Sequence, residues 1–233
     1  MSSRLPSFAK RLARAVVVGG AATAAGCLAT ARAAQPSHII DPRDIGFYID
    51  HTILAPAATP TQVEAVAREA VAHGFASVCV NGAMVRIARE TIDSLGGGTT
   101  ICAVVGFPLG ASASSVKAFE AETAIADGAG EIDMVIPIGI LKAAACGADG
   151  GQALSYVVRD ISAVVGVCRP RGVLVKVILE TSLLTDAERD LGVRLAALAG
   201  ADFVKTSTGF AGGGATIRDV RAMAEMARTV GAY

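Results

Sequence analysis

The chain has 233 residues, enough for one domain with a sizeable core. Its net charge is zero, it has no tryptophan, and aromatics make up 4% of it. It therefore lacks both the positive field that holds nucleic acid or an anionic membrane and the stacking rings that bind unpaired bases.

Residues 1–40 differ from the rest. They carry five basic residues (Arg4, Lys10, Arg11, Arg14 and Arg32) and no acid. The seventeen uncharged residues between Arg14 and Arg32 fall short of the roughly 20 strongly apolar residues of a membrane span. Ala31-Arg32-Ala33 supplies the small residues of a signal-peptidase site, and an acid-free, arginine-bearing stretch also suits an organellar transit peptide. A plain extension is the third reading. We set 1–40 apart from a folded domain over 41–233.

From residue 45 onward strand and helix patterns alternate. Short apolar, β-branched runs predict strands over 48–54, 77–80, 100–105, 131–136, 173–179 and 202–205. Helical periodicity fills the gaps. Thr59-Pro60 opens the first helix, which runs to His73-Gly74, and others follow over about 84–95, 112–126, 152–168, 185–199 and 217–228. Thr185-Asp186-Ala187-Glu188 has the form of a capping box. Strands apolar on both faces, each followed by a helix, predict a parallel sheet in an α/β fold. The cysteines Cys27, Cys79, Cys102, Cys146 and Cys168 form no CxxC pair and no metal-ligand spacing. Cys79 and Cys102, in apolar strand-like runs, read as buried reduced thiols, which suits a reducing compartment such as the cytoplasm.

Two lysines interrupt these strands: Lys176 in Val173-Leu174-Val175-Lys176-Val177-Ile178-Leu179, and Lys205 in Asp202-Phe203-Val204-Lys205. The chain has only five lysines against sixteen arginines, so two in core strands imply a task. Lysine is rarely buried without a partner. A free lysine is neutral about once in 2,500 molecules at pH 7. Burial and a second ammonium both lower its pKa, and the neutral amine attacks carbonyls to form a Schiff base. Asp133, inside the fourth strand, is the carboxylate placed to pair with them. Sequence alone leaves open which lysine is the nucleophile.

Six runs carry a family resemblance: Asp50-His51-Thr52-Ile53-Leu54, Phe75-Ala76-Ser77-Val78-Cys79-Val80-Asn81, Val105-Gly106-Phe107-Pro108-Leu109-Gly110, Glu131-Ile132-Asp133-Met134-Val135, Val175-Lys176-Val177-Ile178-Leu179-Glu180-Thr181 and Phe203-Val204-Lys205-Thr206-Ser207-Thr208-Gly209-Phe210. In order and spacing they resemble the deoxyribose-phosphate aldolases. The resemblance implies a (β/α) TIM-type barrel and a lyase that needs no metal or organic cofactor. Its partners would be a small phosphorylated sugar, 2-deoxy-D-ribose 5-phosphate, and the products D-glyceraldehyde 3-phosphate and acetaldehyde. It further implies that Lys176 forms the Schiff base, that Lys205 and Asp133 exchange protons, and that Asp50, Thr52 and Gly209 lie at the substrate.

The sequence departs from that family at Ala55, where lysine is usual, and at Pro137. It also stops at Tyr233, after six βα units, where the family has two more that carry most of its phosphate site. The expectation is a barrel of six units, with open edges that favour a homo-oligomer and weak phosphate capture. The alternative function is a non-catalytic remnant or interaction protein of the same fold.

Overall fold

The computed structural model describes residues 42–147 and 151–230, so the expectations for 1–40 lie outside the described residues. A 3-10 segment over Pro42–Tyr48 leads into β1 (Asp50–Ile53). Then follow α1 (Pro60–Ala72), β2 (Ser77–Val80), α2 (Val85–Ser94), β3 (Thr100–Val105), α3 (Ser114–Ala126), β4 (Glu131–Val135), α4 (Ile138–Cys146), α5 (Gln152–Cys168), β5 (Leu174–Ile178), α6 (Asp186–Ala199), β6 (Phe203–Lys205) and α7 (Ile217–Thr229).

The six strands form one sheet in the order β1-β2-β3-β4-β5-β6, and every neighbouring pair is parallel. A sheet whose spatial order follows chain order never reverses. It is the walk of a TIM-type barrel rather than of a doubly wound sheet, and here it makes a curled half-barrel. Among the described residues β1 and β6 each pair on one side only.

Strand alternation divides the core. Val78, Val80, Ile101, Ala103, Val105, Ile132, Met134, Val175 and Val177 are buried in the large cluster shared with the helices. On the opposite face Cys79, Cys102 and Val104 form a small separate cluster with Leu54 and Phe107. Burial of the outer layer removes each Val or Ile side chain from water, worth about 1.5–3 kcal/mol apiece. The inner face is thereby free to carry polar groups.

The capping box over Thr185–Glu188 forms: Glu188 N donates to Thr185 Oγ1 at 3.3 Å, and Thr185 N donates to Glu188 Oε2 at 2.7 Å. Thr59 and Gln62 make an equivalent box at α1. Two elements escaped the sequence pattern, the 42–48 segment and α4. Pro137 occupies the N-cap of α4, where a missing N–H costs nothing, so the proline starts an extra helix rather than disturbing β4. One expectation is corrected. The 202–205 run is not a buried strand: Phe203 is 41% exposed and β6 spans three residues, because only β5 flanks it.

Candidate active site

The inner face of the half-barrel gathers its charges around Lys176. Parallel register sets Val104 beside Asp133, Asp133 beside Lys176, and Ile178 beside Lys205. Glu131 lies two residues before Asp133 and so shares its face. Asp50 reaches in from β1.

The Lys176 ammonium lies 2.7 Å from Glu131 Oε2, 3.1 Å from Asp133 Oδ1 and 3.1 Å from Asp50 Oδ2. It also lies 3.5 Å from Cys102 Sγ. Lys205 Nζ donates to the other Asp133 oxygen, Oδ2, in a short contact, and stands 3.8 Å from Asp50 Oδ2. Ser77 Oγ donates to Asp50 Oδ1 at 2.7 Å. Asp133 is 0% exposed, Lys176 8%, and the Lys205 side chain 32%. Asp133 is thus a bridge between two ammonium groups.

The electrostatics reverse the sequence expectation. Burial pulls the Lys176 ammonium down, but the negative groups around it outweigh burial and hold it well above the ordinary lysine value. Cys102 can add to this only as a thiolate. Burial pushes its thiol well above the usual range, so at neutral pH it carries no charge, and Asp133, Glu131 and Asp50 supply the effect. Lys205 is likewise pulled down by burial and, less strongly, by the charge of Lys176, yet Asp133 raises it on balance. Burial raises Asp50, and Lys176 and Ser77 overcome that and leave its carboxyl below its usual value. In the resting site Lys176 is therefore an ammonium held by three carboxylates, not an amine freed by its neighbour lysine.

The chain matches the model of the DeoC/LacD family aldolases over residues 45–232. It belongs to that family. Deoxyribose-phosphate aldolase 1 of Bacillus licheniformis is 50% identical over 183 residues, which is 78% of this chain and 77% of that one. The deoxyribose-phosphate aldolase of Streptococcus gordonii is 52% identical over 184 residues, 79% of this chain and 77% of its own. Among solved structures, the tetrameric deoxyribose phosphate aldolase of Aeropyrum pernix superposes with a TM-score of 0.72 at 34% identity, covering 82% of this chain and 76% of that one.

In this aldolase the residues singled out from sequence divide into two groups. Asp50, Asp133, Lys176 and Lys205 meet in one cluster. Thr52 is exposed and donates to the Asp50 carbonyl at 2.8 Å. Gly209 sits in the loop after β6 at φ +85°, with open space where a Cβ would stand. Sequence reasoning passed over Glu131, although its spacing of two from Asp133 marks the shared face. Glu180, polar at the end of its apolar run in the sequence but given no role there, holds the mouth loop: buried at φ +59°, it accepts from Thr208 N at 3.0 Å and from Thr208 Oγ1. Phe107 and Phe210 meet edge to face with ring centroids 5.3 Å apart, joining the β3–α3 and β6–α7 loops.

Proposed function

We propose that this aldolase cleaves 2-deoxy-D-ribose 5-phosphate to acetaldehyde and D-glyceraldehyde 3-phosphate through a Schiff base on Lys176. The observation that carries the reading is the placement of Lys176 Nζ against Asp133 Oδ1 while Lys205 holds the opposite oxygen of the same carboxylate. The names of the relatives support the choice of substrate.

The resting ammonium must first lose a proton, and Asp133 touches it. When an aldehyde displaces water from the site, the ion pair loses solvent support and the proton passes from Nζ to the carboxylate. The amine then adds to the aldehyde carbon, and loss of water gives a protonated imine. That imine is β to the substrate 3-hydroxyl. A base takes the hydroxyl proton, the C2–C3 bond breaks, and its electron pair moves into the imine as an enamine. Protonation of the enamine carbon and hydrolysis release acetaldehyde and restore Lys176. Asp133 is the proton carrier in this scheme, and Lys205 orients it and supplies protons through it. Asp50 and Thr52 line the sugar side. Gly209 and the turn around it offer backbone N–H groups to the phosphate. The enzyme acts in the cytoplasm as a homo-oligomer.

Reduction with borohydride in the presence of acetaldehyde tests this directly. Peptide mapping should find the ethyl adduct on Lys176, and Lys176→Met should lose the label. A label confined to Lys205 or Lys142 would reject the assignment.

A further inference from the structure

Cys79 and Cys102 are twenty-three positions apart in the chain, yet they are register partners on adjacent parallel strands. Both point to the inner face, and both are buried. One atom each from Cys79 Sγ, Cys102 Sγ and the Asp133 carboxylate lie within 4.8 Å of one another. We infer that this trio is a binding site for a thiophilic divalent cation, zinc or cadmium, whose occupancy silences Lys176. The silencing half rests on the function proposed above; the binding half does not.

Zinc holds thiolate sulfur at about 2.3 Å and carboxylate oxygen at about 2.0–2.2 Å, so tetrahedral ligands sit under about 4 Å apart. Closing the trio on an ion therefore needs movements on the order of 1 Å. Two thiolates select zinc and cadmium over magnesium and calcium, which prefer all-oxygen sites.

The charges around the trio set the cost. Lys176 lies 3.5 Å from Cys102 Sγ and 3.1 Å from Asp133, and Lys205 contacts Asp133. Both ammonium groups oppose a cation. Asp50 and Glu131 oppose the ammonium groups in turn. The ion enters as two thiol protons leave, so the total charge of the cluster is unchanged by the exchange. The bound ion draws Asp133 away from both lysines. The two thiolates offset the ion's own charge, so what is lost is the carboxylate beside the nitrogen that must become a protonated imine. That form is then disfavoured, and trapping of acetaldehyde should fall.

Cadmium titration of the reduced full-length chain reads the site without any catalysis, because cadmium bound to thiolate gains an ultraviolet charge-transfer band. We expect a saturable band at one ion per chain, absent with magnesium. It should persist in Cys146→Ser, which removes an exposed thiol, and be lost in Cys79→Ala and in Cys102→Ala. Asp133→Asn should weaken cadmium binding at least tenfold, which serves if a cysteine variant does not fold by circular dichroism. One equivalent of zinc should cut borohydride trapping at Lys176 at least tenfold in the unmodified chain. A band that survives both inner-face cysteine variants, or that Cys146→Ser abolishes, overturns the site. Binding without loss of trapping overturns the silencing. A band in a chain that never traps acetaldehyde would leave the metal site standing and remove the aldolase reading instead.

Discussion

At the scale of single residues, the decisive fact is that Lys176 is surrounded by more negative charge than the sequence suggested. Two lysines on neighbouring strands predict mutual repulsion and a lowered pKa. The fold adds Glu131 and Asp50 to Asp133, and their attraction wins over burial. Asp133, Lys176 and Lys205 were legible because each interrupts an apolar strand, whereas Asp50 came only with the family motif and Glu131 was passed over. The sign of the electrostatics was not legible, since it depends on how many carboxylates two other strands, β1 and β4, bring within 3.1 Å of Nζ. Opposite pH shifts test this balance. Glu131→Gln removes a negative neighbour, so the Lys176 pKa should fall and the pH dependence of imine formation should move to lower pH. Lys205→Leu removes a positive neighbour, so it should move to higher pH. Each shift should be on the order of one pH unit, or about 1.4 kcal/mol. The rate of borohydride trapping against pH measures both. Shifts in the same direction would show that the charge balance does not set Lys176.

At the scale of elements, strand positions followed from β-branched runs, and four of the six strands, β2 to β5, meet the sheet as buried, largely apolar layers. What the pattern concealed was the fastening between elements. Lys117 on α3 is fully buried, donates to Asp160 Oδ2 on α5 at 2.7 Å and to the Val135 carbonyl at the end of β4 at 2.9 Å. Ser114 Oγ donates to the other Asp160 oxygen at 2.7 Å. In the sequence Lys117 looks like one polar residue of an amphipathic helix; only the packing of α5 over α3 turns it inward. The same side chain lies under Gly106, whose φ of +62° and close approach leave no room for a Cβ, 2.8 Å from Lys117 Cε. The pair thus ties the loop carrying Phe107 to the strand carrying Asp133. Lys117→Met strands the Asp160 carboxylate in the interior and should destabilise the fold by about 3–5 kcal/mol, whereas Lys117→Met with Asp160→Leu should recover most of the loss. Urea midpoints of the two variants decide it, and equal loss in both would mean that packing volume rather than charge pairing is at stake.

At the scale of the whole molecule, the half-barrel presents two sheet edges among its described residues, at β1 and β6. An unpaired edge offers a row of N–H and C=O groups to any strand that approaches. The β6 side adds apolar surface: Phe203 is 41% exposed, and Ile217 on α7 is 80% exposed. The charged site lies on the inner face of the same sheet, so whatever covers β6 also lies beside Lys205. Self-association should therefore be strong enough to detect and should affect the site. Sedimentation velocity of the full-length chain across micromolar concentrations should show a concentration-dependent shift to larger species. Phe203→Lys puts a charge on the edge strand, at the position paired with Lys176, and it should move that equilibrium towards monomer. A chain that stays monomeric at every concentration would mean that neither edge is used. Association unchanged by Phe203→Lys would place the contact on another surface, leaving β6 and the site it flanks open to solvent.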